Sequence, residues 1–198
     1  MEGHAGAYEL IWSAESLSRE LLAPLPSRML HTEGVASTAV ALARTVAVED
    51  RPVLIAAAWL HDVGYAPRLQ STGFHPLDGA RHLESLGWRP EICALVAHHS
   101  GARFVASLRE LGEDLRTFEF TENALTDALT VADQTSGPCG EPLTLDERMR
   151  NMLRRHGPRS LNARAHARRE PYFRSAWARV ATRLLSIDDV VVDAPIAV

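Results

Sequence analysis

Residues 53–60 read Val-Leu-Ile-Ala-Ala-Ala-Trp-Leu, apolar almost all the way round a helix, and His61 and Asp62 come next. A helix without a polar face belongs at the centre of a domain, wrapped by other elements. The spacing predicts a buried helix that Asp50 can cap, that tolerates Pro52 in its first turn, and that Gly64 breaks. An imidazole and a carboxylate then stand together at its end. Buried groups of this kind are costly unless they are paired or bound to metal.

The surrounding sequence also follows helical spacing. Leu17, Leu21 and Leu22 mark a first helix, stopped by Pro24 and Pro26. A longer helix is predicted over 27–48, with Leu30, Val35, Leu42 and Val46 among its apolar positions. Others are expected over 76–86, 90–99, 102–111 and 122–135, with Gly87 and Gly112 in C-cap positions. Thr144-Leu145-Asp146-Glu147 has the spacing of a capping box and opens a helix to Arg155. One or two more cover 160–185, where Pro171 marks a start or a kink. The tail from Asp188, with Val190, Val191 and Val192, fits a strand, a docking segment or a frayed end. Strand signals are otherwise scarce, so the expected class is all-α, a helical bundle with additional C-terminal helices. The expected organisation is a lead-in helix over 1–26, a central domain over 27–155, and arginine-rich helices and tail over 156–198 packed on it.

Composition excludes several kinds of chemistry. None of the 198 residues is a lysine, which rules out a Schiff base, a Walker-type phosphate lysine and a lysine general acid. Cys93 and Cys139 are too far apart for a CxxC pair, which argues for free thiols in a reducing compartment. No apolar run is long enough to span a bilayer, and the acidic start Met1-Glu2-Gly3-His4 lacks a signal core. The expected location is cytoplasmic, with no membrane partner. Residues 148–183 hold eleven arginines against one acid, yet the chain carries a formal net charge of −4. That balance argues against a dedicated nucleic-acid binder and for a solvated arginine face.

Seven acidic or imidazole positions fall within or beside largely apolar helices. His61 and Asp62 end the buried helix, His31 lies in the helix before it, and His75 opens the helix after it. His98 and His99 end the next one, and Asp133 sits late in 122–135. Several helices each delivering one such residue to a common point is how bundle-core metal sites are built. Mixed imidazole and carboxylate donors suit Fe, Mn, Zn or Ni better than soft metals or magnesium alone. His4, His82, His156 and His166 lie in polar or arginine-rich surroundings and are read as ordinary residues.

These motifs resemble the HD-domain metal-dependent phosphohydrolases over about two-thirds of the chain, from 27 to 155. The likeness rests on His31 in RMLHTEGVASTAVALA, the doublet in AAAWLHDVGYAP and Asp133 in LTVADQTS. It is nearest to small stand-alone bacterial HD proteins and, more distantly, to dinucleoside-tetraphosphate hydrolases. The resemblance implies that His31, His61, Asp62 and Asp133 hold one divalent ion. A second would be held by His75, in GFHPLDGARHL, and by His99 rather than His98, in LVAHHSGA, with Asp62 bridging. One or two transition-metal ions (Fe, Mn, Zn, Co or Ni) are thus implied.

The reaction implied is hydrolysis of a small phosphate ester, such as a nucleotide, by metal-activated water, with Asp62 as the shared catalytic carboxylate. Without lysine, phosphate contacts fall to arginine, and Arg28, Arg68 and Arg103 stand nearest the motifs in sequence. Gly64-Tyr65-Ala66-Pro67 lacks the lysine that several HD families carry after the doublet. The acidic pair of alarmone hydrolases and the second signature of cyclic-di-GMP phosphodiesterases are also missing, which argues against those substrates. Two other functions are compatible with the ligand set, a di-iron oxygenase and a catalytically silent nucleotide-binding module.

Overall fold

A computed structural model describes residues 2–192 of the chain. The helices in chain order are α1 (Glu2–Leu22), α2 (Pro26–Leu42), α3 (Arg51–Leu60), α4 (His75–Ser85) and α5 (Pro90–His98). They continue with α6 (Ala102–Ala106), α7 (Gly112–Leu115), α8 (Ala124–Gln134), α9 (Leu145–His156) and α10 (Leu161–Val192). Among the described residues there is no strand, only an isolated bridge between Ser136 and Pro142. The fold is all-α, and no described helix is long and apolar enough to cross a membrane.

The apolar helix, α3, is the axis of the bundle. Val53, Leu54, Ala56, Ala57, Ala58 and Leu60 are buried, and α1, α2, α5 and α8 all pack on it. Small alanine side chains leave room for four helices to converge on one short element. His61 and Asp62 therefore emerge in the deepest part of the molecule. Gly64 then lets the chain run against the start of α4, because a Cβ there would collide with the carbonyl of His75 and come within 2.6 Å of the Gly79 nitrogen. That close approach sets His75 beside the doublet.

Several boundaries differ from the expected ones for local reasons. The helix expected over 27–48 ends at Leu42 and tightens into a 3₁₀ turn at Ala43–Thr45. Asp50 is the last residue of another 3₁₀ turn, Val48–Asp50, has helical geometry, and makes no capping bond with its side chain. Gly112 does not cap the preceding helix but begins the short α7. Thr144 and Glu147 do form the reciprocal capping box, and Asn123 and Thr126 form a second one before α8. The segment 160–185 is a single helix that passes through Pro171. The Val190–Val192 run is its last turn rather than a strand, and the rest of the tail, 193–198, lies outside the described residues.

Helix α10 packs on α6, α8 and α9. Tyr172, Phe173, Ala176 and Val180 are buried there. Losing one backbone hydrogen bond at Pro171 is tolerated because this stripe holds the second half of the helix down and buried Ala165 the first.

Candidate metal centre

Six side chains converge where α2, α3, α4, α5 and α8 meet. His31 comes from α2, His61 and Asp62 directly follow α3, His75 opens α4, His99 directly follows α5, and Asp133 comes from the end of α8. Five are buried, and the His75 side chain is 23% exposed towards the cavity that opens over the group. His31 and His61 place Nε2 3.7 and 3.2 Å from Asp62 Oδ2. His75 and His99 place Nε2 3.3 and 3.6 Å from Asp62 Oδ1. Each Asp62 oxygen thus faces its own pair of imidazoles. Asp133 Oδ1 stands 3.1 Å from His31 Nε2 and completes the first group.

Backbone carbonyls fix the orientation of three rings. His31 Nδ1 lies 2.9 Å from the Gly137 oxygen, His61 Nδ1 lies 2.7 Å from that of Ala58, and His99 Nδ1 lies 2.6 Å from that of Val96. A carbonyl only accepts, so each Nδ1 carries a proton, which leaves the Nε2 lone pair as the position available to a cation. Those lone pairs face carboxylate oxygens or, for His99, the Nε2 of His75 at 3.2 Å. His61 Nε2 is buried with no hydrogen-bond partner, because its approach to Asp62 has the wrong angle for one. Acceptors facing acceptors in a buried space call for a cation between them. Nδ1–H bonds to carbonyls are also how metal-binding histidines are usually held. Two trios have donor atoms within 4.8 Å of one another and fit one cation each: His31, His61 and Asp133, and Asp62, His75 and His99.

Electrostatics keep both carboxylates ionised. Burial opposes charge on both Asp62 and His61, but their mutual attraction, with Arg28, outweighs it, raising His61 and holding Asp62 well below the usual carboxylate range. Asp133 is likewise pushed up by burial and held well below its usual value by His31 and Arg148. Burial, with His99 and Arg28 nearby, drives His75 well below its ordinary value and so keeps it a neutral donor. Tyr65, stacked on His75 at 3.9 Å, is pushed up to about 12 by burial and by Asp62, so its hydroxyl stays protonated.

The HD domain model matches residues 28–157, about two-thirds of the chain. The chain belongs to the HD domain family. Neither a curated protein nor a solved structure matches it. All six converging residues lie inside the matched span. His98, the alternative to His99, is turned away from the HD centre, with Nε2 2.8 Å from the Phe118 carbonyl and its ring against Phe120.

The arginines are distributed differently from their order in sequence. Arg28 reaches the centre, donating from Nη1 to Asp62 Oδ2 at 2.6 Å with its guanidinium over Tyr65. Arg68 lies on the surface and pairs with Glu20 of α1 at 2.6 Å. Arg103 lies over the rings of Phe104, Phe120 and Tyr172 at 4.1–4.5 Å, outside the cavity lining. The cavity over the HD centre, about 290 Å³, instead takes Arg148 and Arg155 from α9, Arg169 from α10 and Arg109 from beyond α6. His156, read from sequence as an ordinary residue, also lines it. The available signal was the arginine concentration in 148–183, which is not solely a solvated face. Gln134 joins the centre as well, donating to Asp133 Oδ2 at 2.9 Å and to Ser100 Oγ at 2.8 Å.

Proposed function

We propose that the chain is a metal-dependent phosphohydrolase acting on a small phosphate ester, such as a nucleotide. Asp62 carries the reading, because its two oxygens face two separate imidazole pairs as a bridging carboxylate would. His31, His61, Asp62 and Asp133 hold one divalent transition metal, and His75, His99 and Asp62 hold the other. When bound, such a pair lowers the pKa of a shared water and neutralises phosphoryl oxygens.

The protein supplies orientation and charge. The carbonyls of Gly137, Ala58 and Val96 hold three imidazoles in the Nε2-donor tautomer. Arg28 steadies Asp62, and Arg148 steadies Asp133 from 3.3 Å. The cationic lining favours an anionic substrate, as a phosphate ester is. Cys93 and Cys139, both free thiols, suit the reducing cytoplasm in which we place the activity.

Elemental analysis of protein purified without chelators is expected to give about two transition-metal equivalents per chain. Asp62→Ala is expected to lose both metal retention and hydrolysis of a generic phosphodiester. His82→Ala, on the outer side of α4, leaves both unchanged. Wild-type metal content in the Asp62 variant would refute the bridging role, and so would no metal uptake by the wild type from Mn, Fe, Co, Ni or Zn.

A further inference from the structure

Arg169 is a buried cation that forms no ion pair among the described residues. It is 6% exposed, and among the described residues its one hydrogen bond runs from Nη1 to the amide oxygen of Asn162 at 3.3 Å. Its Nε is buried with no partner, and its guanidinium lies over the Phe173 ring. Burial pushes it down to about 10, against the pull of the Asp133 charge, with Arg148 adding to the lowering. A guanidinium has five donors, and one amide contact leaves most of them unused in a place where leaving them unused is unfavourable.

Two more cations face the same cavity. The Arg148 side chain is 11% exposed, and its one ion pair among the described residues is with Asp133. Arg155 makes no hydrogen bond or ion pair among the described residues, and it is lowered by burial and by the nearby charges of Arg148 and Arg28. The cationic wall reaches the HD centre at both ends. Arg148 contacts Asp133, and the Arg169 stem lies 2.9 Å from where a Cβ on Gly101 would stand, two residues past His99. Three like charges lining one volume repel one another unless an anion lies between them.

We infer that Arg148, Arg155 and Arg169 form an anion subsite that takes a second phosphate of the substrate, so that the substrate carries a polyphosphate chain rather than a single phosphoryl group. This rests on the phosphohydrolase reading above, in which the first phosphate lies at the histidine–carboxylate centre. Arginine suits the task because its fork bonds two phosphate oxygens at once. A monophosphate leaves the wall unneutralised, so chain length becomes the basis of discrimination.

The test uses chelator-stripped full-length protein, so that polyanion binding is measured apart from metal. Tripolyphosphate and orthophosphate are titrated by calorimetry at low and moderate salt. Tripolyphosphate is expected to bind at least tenfold tighter than orthophosphate, more weakly as salt rises. Arg155→Ala, at an exposed position, and Arg169→Gln are each expected to weaken tripolyphosphate at least fivefold. Arg169→Lys should restore part of the loss. Arg154→Ala, next to Arg155 but bonded to Asn151, should change affinity less than twofold. Equal affinity for the two anions would overturn the subsite. An equal loss in the Arg154 and Arg155 variants would overturn it too, since general surface charge would then explain binding. Absent metal uptake with this pattern intact would instead refute the phosphohydrolase reading.

Discussion

Gly64 shows how narrow the tolerance is at single positions near the centre. A methyl group there meets the His75 carbonyl, which is backbone and cannot swing aside as a side chain would. Gly64→Ala must therefore push α4 outward and carry His75 with it. The expected cost is about 1–3 kcal/mol in urea unfolding, typical of forcing volume into a packed site. Metal content should fall from about two equivalents to one, because the second group loses a donor while His31, His61, Asp62 and Asp133 keep theirs. An unchanged urea midpoint together with two equivalents would show that the contact does not position His75.

At the scale of elements, the seam between α8 and α10 holds the last ligand in place. Asp127 of α8 is 1% exposed and accepts from Arg179 at 2.6 and 2.9 Å and from Arg183 at 2.9 Å. Asp127→Ala removes the shared acceptor of two arginines. Breaking a fully buried pair costs about 3–5 kcal/mol; these arginines are about a third exposed, so about 2 kcal/mol is expected here. Urea unfolding measures it, and a loss below about 0.5 kcal/mol would show the seam to be apolar in origin. The helical character of α8, α9 and α10 was legible from spacing and caps. Their exact ends were less so: α2 stops at Leu42 because the chain must turn to bring in α3, and α10 continues through Pro171 because tertiary burial offsets one lost hydrogen bond.

At the scale of the whole molecule, the centre ties five helices to one point. Ligands that bind only the folded chain stabilise it in proportion to RT ln(1 + [L]/Kd), about 4 kcal/mol at a thousandfold excess over Kd. With roughly 2–4 °C per kcal/mol for a chain of this size, adding Mn to chelator-stripped protein should raise the melting temperature by roughly 8–16 °C. Asp62→Ala should abolish that rise. A rise of the same size in the variant would place the stabilising ion elsewhere.

Local sequence is enough to make this chain helical, to put α3 at its centre and to bring His61 and Asp62 out there. Periodicity, apolar runs and caps are local properties, and a family motif is a fixed spacing along the chain. The tertiary structure alone decided which cations face the centre. Arg68, six residues past the doublet, pairs with Glu20, and Arg103 rests on aromatic rings. Arg169, 36 residues past Asp133, lines the cavity. It also separated the neighbours His98 and His99, sending one to the Phe118 carbonyl and the other to the centre. An arginine side chain is long and its charge acts through space, so its partner is set by how α9 and α10 fold back over the bundle, which no short window of sequence specifies.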